Sequence, residues 1–386
     1  MSSASEKPAP IHPQLQSPFF AVPTEIRDAI YRYLIPEHIH LFILSGSVQA
    51  TECIQRDNDD DPDCLARGAS KDDSVSSTDH GASLLSYYRH LCSPWATHWR
   101  CDEVVWKPYH GRIAGHGPFP SVLLATCRRL IHECWRYMAD HVIVHMNEMD
   151  MVEAFVSAAS SVDTGAETWL TSNWLGFMMW STKELHIDLR LPFEDFEGLE
   201  KTHDQSDTTS KVFDPWLQLP SVLCRAVNLQ RLRIWLDHDG KGSWSLVNER
   251  AMLAPITRLN EISNLDIEVN LPKLHPKFES TERHFTNGNP EPAFPLHRRF
   301  RQRYHIGNQG DWCMGASHEP DFPLLYELAG PEKGKYECGD MTMEELEICE
   351  RSIWREGKHP YDEKPDDMRR RIEQLRLQLE QIDHPV

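Results

Sequence analysis

The sequence has no long apolar run, no paired cysteine motif and no glycosylation sequon, and each absence excludes a class of protein. No stretch approaches the roughly 20 apolar residues that a membrane-spanning helix requires, and the N-terminus lacks the apolar core of a secretory signal. The ten cysteines form no C-x-x-C pair and follow no disulfide framework. We therefore expect a cytoplasmic or nuclear protein with reduced thiols and no membrane association.

Catalytic signatures are missing as well. The chain contains no G-x-S-x-G nucleophile elbow, no S-x-x-K pair and no glycine-rich loop with the spacing that holds phosphates. Carboxylates are so numerous, with 59 Asp and Glu residues, that no particular pair indicates catalysis. The sequence therefore predicts that the protein is not an enzyme.

The charge balance disfavours nucleic acid as a partner. A net charge of -19 repels a polyphosphate unless one face is locally basic. The one compact basic run is residues 297–303, HRRFRQR. Such a run is typical of a solvated face or of an internal partner for acidic segments, and we expect no nucleic-acid binding from it.

The chain divides into four regions by composition and periodicity. Its hydrophobic fraction of 40% and charged fraction of 26% are typical of globular proteins. The pattern predicts a disordered tail over residues 1–17, a helical region over 18–140 with an acidic disordered insertion at about 51–82, an irregular α/β region over 141–290, and a Pro-rich segment with C-terminal helices over 291–386.

Three apolar runs in the α/β region read as strands: Leu185–Leu191, Leu232–Asp237 and Leu265–Leu271. Helical patterns near residues 169–179, 216–227 and 246–259 alternate with them, which indicates crossover connections and a parallel sheet. Each run has a leucine, then an aliphatic residue, then a leucine or valine at alternate positions. The gaps between the runs are too long and unequal for a regular solenoid. We therefore predict a fold between the α+β and α/β classes, in which N-terminal helices precede an irregular leucine-rich-like β/α layer and C-terminal helices.

Polar residues alternate with the aliphatic ones in the first of these strands. His186, Asp188 and Arg190 occupy the alternate positions. Since successive side chains of a strand point to opposite faces, we expect one face of the sheet to be solvated. That face is a candidate binding surface.

Two helices are expected near the C-terminus. Thr342 and Glu345 form a capping-box pattern that opens a helix to about Arg355. The last helix follows Pro365 and carries a heptad seam for barely two heptads, too short for a sustained coiled coil. We expect it to pack on its own chain and the protein to be a monomer.

The clearest helix follows Pro23 and has an apolar stripe. Its members are spaced i, i+3, i+4, i+7 and i+8: Ile26, Ala29, Ile30, Tyr33 and Leu34. Such a stripe in a single chain is usually core, so the favoured interpretation is packing against Leu123, Leu130 and Ile131. The alternative is a partner-binding face with Ile26, Ile30 and Leu34 as anchors.

One group of residues has metal-ligand chemistry. His90, Cys92, His98 and Cys101 lie close together in HLCSPWATHWRC, and imidazole and thiolate are the ligands that zinc prefers. Their spacing is not that of a zinc finger. The candidate cofactor is therefore zinc, with chance proximity as the alternative.

Two segments resemble known families. The run VPTEIRDAIYRYL (residues 22–34) resembles the opening helix of an F-box, and LLATCRRLIHECW (residues 123–135) is similar to the Cys-Arg-Arg helix that closes one. The order of motifs over about residues 17–240 looks like a family of uncharacterised filamentous-fungal proteins with an F-box-like start. This resemblance implies that the N-terminal helices are F-box-like. The apolar stripe of the first helix, beside a strand layer with one polar face, favours a non-enzymatic protein-interaction or scaffold protein.

The same observations leave two alternatives for the function. One is an F-box-type substrate receptor that binds a Skp1-like adaptor of a ubiquitin ligase. The other is a zinc-dependent binder or enzyme that uses the His90 to Cys101 cluster.

Overall fold

A computed structural model of the chain gives a mixed α/β fold built on a seven-stranded sheet. The structure describes residues 16–54, 93–106, 127–161, 181–204, 214–226, 228–262, 264–286, 292, 294–299, 301, 304–308, 314–318, 321–325 and 342–383. The N-terminal tail, residues 55–82 of the acidic insertion and the helix expected around residues 169–179 therefore fall largely or wholly outside the described residues.

The strands and helices are named in chain order. The strands are β1 His38–Leu44, β2 Ser47–Glu52, β3 Ile143–Met146, β4 Glu184–Leu191, β5 Arg231–His238, β6 Asp266–Pro272, β7 Leu296–Arg299, β8 Tyr304–Asn308 and β9 Met314–His318. The α-helices are α1 Pro18–Ala21, α2 Thr24–Leu34, α3 Trp99–Trp106, α4 Arg128–His141, α5 Met149–Ser161, α6 Phe193–Asp204, α7 Asp214–Leu223, α8 Glu249–Leu253, α9 Met343–Arg355 and α10 Pro365–Asp383. Short 3-10 turns lie at Ala96–His98, Trp244–Leu246, Ile256–Glu261 and Pro360–Asp362.

The large sheet grows in one direction along the chain. Its order is β2-β1-β3-β4-β5-β6-β7, with an antiparallel β1–β2 hairpin and parallel pairing throughout the rest. Because crossovers between parallel strands are almost always right-handed, a sheet that never reverses direction carries its connecting helices on one face. β8 and β9 form a separate antiparallel pair.

The main core lies between that helical layer and the aliphatic face of the sheet. Ile187 of β4, Ile234 of β5 and Val269 of β6 belong to one apolar cluster with Phe155 of α5 and Trp216 of α7. Full burial of a large aliphatic or aromatic side chain stabilises a fold by roughly 1.5–3 kcal/mol. The alternation visible in the sequence thus creates the surface on which the helices pack.

Along β4 the opposite face of the sheet is polar but not solvated, contrary to the expectation from the sequence. His186, Asp188 and Arg190 are all buried. The 3-10 turn at Ala96–His98 contacts β4, and Nε2 of His98 lies 3.7 Å from Oδ2 of Asp188. The alternation of polar and aliphatic residues shows that the strand has two unlike faces. It does not show that a segment distant in the sequence covers the polar face.

Two boundaries differ from the sequence prediction. Thr51 and Glu52, placed in the acidic insertion, belong to β2 and pair with β1. The helix expected near residues 246–259 is divided into α8 and a 3-10 turn, with Pro255 between them. Proline lacks the backbone N–H that a continuous helix needs at that position.

The C-terminal helices pack on each other. Thr342 caps α9 through the Glu345 backbone N–H, and the Glu345 carboxylate accepts from the Thr342 backbone in return. Met368 and Ile372 of α10 join a small apolar cluster with Ile353 of α9. None of the helices in the described ranges is long and apolar enough to cross a membrane.

Candidate functional site

The apolar stripe of α2 faces solvent and not the core. The exposed fraction is 52% for Ile26, 90% for Tyr33 and 42% for Leu34. Ile30 is half-buried and Ala29 is exposed. The interpretation of this stripe as a core face was therefore wrong, and Leu123, its expected neighbour, lies outside the described residues.

The adjacent face of α2 holds it on the protein. Arg27 and Tyr31 are buried there, and both contact Glu133 of α4. Nε of Arg27 donates to Oε2 of Glu133 over 2.7 Å, and the Tyr31 hydroxyl donates to the same oxygen over 3.0 Å. A polar contact thus replaces the expected aliphatic one, and it leaves the apolar stripe free of the core.

A second candidate site lies on the polar face of the sheet. His40 of β1, Cys53 just after β2, His98 of the 3-10 turn and Cys101 of α3 each offer one ligand atom, and these atoms all lie within 4.8 Å of one another. We call these four residues the His2Cys2 cluster. All four are buried.

Local structure explains how the cluster forms. The Cys53 N–H donates to the carbonyl of His38 over 3.0 Å, which extends the β1–β2 hairpin by one residue and places Cys53 on the same face as His40. His98 and Cys101 are three positions apart at the start of α3, so their side chains share one helical face. Two sequence-distant pairs are thereby brought together.

The distances inside the cluster are short. Sγ of Cys53 lies 3.7 Å from Sγ of Cys101 and 3.5 Å from Nδ1 of His98. The first distance is far longer than a disulfide bond of about 2.05 Å. Hydrogen bonding with Cys53, together with His40 and His98, lowers the pKa of the Cys101 thiol to about 2 in spite of its burial.

A second shell of polar groups orients the two histidines. Nδ1 of His40 donates to Oδ1 of Asn147 over 2.6 Å, and Nε2 of His98 faces the Asp188 carboxylate. The indole of Trp95 stacks on His40 with ring centroids 5.0 Å apart, and its N–H donates to Glu148 over 3.0 Å. Neighbours outside the cluster therefore fix the ring of His40, and the Asp188 carboxylate lies within ion-pair distance of His98.

A row of histidines continues from the cluster across the sheet. His145 lies opposite His40 on β1 and opposite His186 on β4. Burial lowers the pKa of His145 well below its usual value, and the neighbouring histidines add to that effect. His98, His145 and Asp188 form a second, overlapping group of ligand-type atoms.

The structure retains half of the sequence-derived zinc candidates. His98 and Cys101 belong to the cluster, whereas His90 and Cys92 lie outside the described residues. His40 and Cys53 were missed because they come from a hairpin 45 or more positions before His98. The only local signal was the His98-x-x-Cys101 spacing, which specifies two ligands and not their partners.

Two arginines of the basic run at residues 297–303 are used inside the protein. Both guanidinium Nη atoms of Arg298 donate to the buried Glu249 carboxylate, over 2.5 and 2.9 Å. Nε of Arg301 donates to Oδ1 of Asp237 over 2.9 Å, where both side chains are buried. These two arginines are internal partners of acidic residues.

Comparison with known proteins gives no family for this chain. No protein-family model matches it, and searches of curated proteins and of solved structures found no significant match.

Proposed function

We propose that this is a non-enzymatic protein-interaction protein, which presents the exposed face of α2 to a Skp1-like adaptor. In this proposal the N-terminal helices are F-box-like and the sheet is an irregular leucine-rich-like layer of fungal type. The observation that carries the proposal is the exposure of Ile26, Tyr33 and Leu34 on one helix.

The form of this surface supports helix-in-groove recognition. Ile26, Ile30 and Leu34 are spaced by four residues, so they lie along one side of the helix over about two turns. Large apolar side chains at this spacing are the anchors with which amphipathic helices bind hydrophobic grooves. We choose a Skp1-like adaptor because residues 22–34 resemble the opening helix of an F-box.

The support beneath the helix favours the same function. Binding through a preorganised helix avoids part of the entropy cost of ordering a segment on association. Arg27 and Tyr31 fix α2 through Glu133, on the face next to the stripe. The anchors are therefore held in place before a partner arrives.

A binding measurement with purified components tests the proposal. The full-length chain and a Skp1-type adaptor from a filamentous fungus are mixed and studied by isothermal titration calorimetry. The test variant carries Ile26→Asp and Leu34→Asp. The matched control carries Leu377→Asp, which removes a similarly exposed apolar side chain, 58% exposed, from α10.

We expect the wild type and the control to bind with equal affinity, and the double variant to bind at least about 100-fold more weakly, because each anchor in a hydrophobic groove contributes on the order of 1.4 kcal/mol. Circular dichroism and thermal melting check that all three proteins are folded. Failure of the folded wild type to bind the adaptor, or equal binding by the double variant, overturns the proposal.

A further inference from the structure

Two distances in the His2Cys2 cluster match the edges of a tetrahedral zinc site. Zinc binds thiolate sulphur at about 2.3 Å and imidazole nitrogen at about 2.0–2.1 Å, which gives tetrahedral edges of about 3.8 Å between two sulphurs and about 3.6 Å between sulphur and nitrogen. The corresponding distances are 3.7 Å between the Cys53 and Cys101 sulphurs and 3.5 Å between the Cys53 sulphur and Nδ1 of His98. Two edges that meet at the Cys53 sulphur thus match a tetrahedral site, and all four ligand atoms lie within 4.8 Å of one another.

The fourth ligand is identified by an unsatisfied atom. His40 is fully buried, and its Nδ1 is engaged by Asn147. Its Nε2 is buried without a hydrogen-bond partner among the described residues. A buried polar atom that makes no bond is costly, so native proteins almost always satisfy it, and a metal ion would satisfy this one.

We propose that His40, Cys53, His98 and Cys101 bind one zinc ion, through Nε2, Sγ, Nδ1 and Sγ respectively, and that this ion fastens the β1–β2 hairpin to α3. The proposal concerns a different part of the molecule from the α2 surface, and neither depends on the other.

The second shell has the form that such sites require. Ligating histidines usually hold their other ring nitrogen in a hydrogen bond to a carboxylate or a carbonyl oxygen, which fixes the tautomer. Asn147 takes this role for His40, and Asp188 faces Nε2 of His98 at 3.7 Å. The hydrogen bond at Nδ1 of His40 leaves its Nε2 for the ion, and Nδ1 of His98 is the nitrogen that lies near the Cys53 sulphur.

The site is structural in character. Four protein ligands complete a tetrahedron and leave no position for water or substrate, whereas a catalytic zinc keeps one position open. The cluster lies among Phe42, Trp95 and Val105 in a small apolar group that is separate from the main core. An apolar group of that size contributes little to the stability of the fold by itself. The ion adds the connection between the β1–β2 hairpin and α3.

Metal content is the first test. Full-length protein is expressed in zinc-supplemented medium, exchanged into metal-free buffer and analysed by inductively coupled plasma mass spectrometry. We expect about one equivalent of zinc in the wild type. Cys53→Ser and Cys101→Ser are expected to retain less than about a tenth of an equivalent, while Cys134→Ser, a buried cysteine of the main core, retains the wild-type amount.

A second measurement uses the wild type alone, because cysteine variants at a structural site often fail to fold. The protein is stripped with a chelator and reloaded with Co²⁺, which reports its ligands by its visible spectrum. We expect the intense bands of a tetrahedral cobalt ion together with thiolate-to-cobalt charge transfer. Stripping is also expected to lower the melting temperature, and zinc is expected to restore it.

Three outcomes overturn the proposal. The first is folded wild-type protein that binds neither zinc nor cobalt. The second is a disulfide between Cys53 and Cys101, found by peptide mapping under non-reducing conditions. The third is unchanged zinc content in the folded Cys53→Ser and Cys101→Ser variants, which assigns the metal to other ligands.

Discussion

Arg27 of α2 and Glu133 of α4 form a two-point ion pair, although 106 positions separate them in the chain. Nε and Nη2 of Arg27 donate to the two carboxylate oxygens over 2.7 and 3.3 Å. Burial of Glu133 raises the pKa of its carboxyl, but the hydrogen bonds from Arg27, Arg129 and Tyr31 outweigh that effect and lower it overall. This pair determines which side of α2 faces the protein.

Replacing Glu133 by alanine should weaken the attachment of α2. The change leaves Arg27 and the Tyr31 hydroxyl without their shared acceptor, and hydrogen bonds to charged groups contribute about 1.5–3 kcal/mol each in favourable settings. Because Glu133 is partly exposed, we expect a loss of about 1–2 kcal/mol in the free energy of unfolding. Urea denaturation measures it, with the exposed Glu25→Ala in α2 as the control. A loss below about 0.5 kcal/mol contradicts this account.

Substitutions on the buried face and on the exposed face of α2 should have unequal effects on stability. Tyr31→Ala removes a buried ring and should cost about 3–5 kcal/mol, since Tyr31 is only 1% exposed. Tyr33→Ala removes a ring that is 90% exposed and should change stability by less than about 0.5 kcal/mol. Thermal melting of the two matched variants separates them. Equal effects would show that α2 is oriented differently.

The buried pair of Asp237 and Arg301 predicts a larger effect. Burial raises the pKa of Asp237, although the charges of Arg301 and Arg190 oppose this. Arg301→Leu leaves that carboxyl without its partner, so we expect a loss of about 3–5 kcal/mol in the free energy of unfolding. The double variant with Asp237→Leu should recover part of that loss in guanidinium denaturation. A double variant less stable than Arg301→Leu contradicts the prediction.

His284 should make the protein less stable in mild acid. It is fully buried, its Nδ1 accepts from the Ser280 N–H over 2.9 Å, and its Nε2 donates to the carbonyl of Val247 over 3.1 Å. Burial lowers its pKa below 6.5, and the nearby Glu249 only partly opposes that effect. At pH values between this lowered pKa and about 6.5, the unfolded state therefore binds more protons than the folded state. Stability then falls as pH decreases below about 6.5.

The check is the slope of unfolding free energy against pH. His284→Gln should flatten the slope below about pH 6.5, whereas His297→Gln, at an exposed position of β7, should leave it as in the wild type. If both variants keep the wild-type slope, the pH dependence arises elsewhere.

Asn147 should matter to metal affinity without binding the metal. Its side-chain oxygen accepts from Nδ1 of His40 over 2.6 Å. Loss of such a second-shell partner usually weakens metal binding by about 10- to 100-fold. We therefore expect Asn147→Ala to release zinc to a competing chelator at correspondingly lower chelator concentration, and Asn147→Asp to remain close to the wild type. Unchanged affinity in Asn147→Ala removes the orienting role.

The sheet was largely predictable because alternation acts locally. The run predicted at Leu185–Leu191 is found as Glu184–Leu191, and the run predicted at Leu265–Leu271 as Asp266–Pro272. The capping box at Thr342 also reports its helix directly. Each of these signals lies within a few residues of the structure that it specifies.

The sites were less predictable because each depends on contacts between distant segments. The periodicity of α2 located the stripe, but the buried side of the helix is set by Glu133, 106 positions from Arg27. Likewise, nothing near His98 and Cys101 indicates that a hairpin ending at residue 53 faces them. Sequence patterns define the surfaces of an element, and tertiary contacts decide what each surface meets.

The position of the His2Cys2 cluster has a further consequence for the segment between Cys53 and His98. The two ends of that segment are held together inside the fold, one by strand pairing and the other by α3. The entropy cost of closing a loop grows only logarithmically, by about 0.6 kcal/mol for each doubling of its length. Changes in the number of residues between Ile54 and Ser93 should therefore cost little free energy, and the sheet should stay the same when that number changes, provided that Trp95 keeps its place against His40.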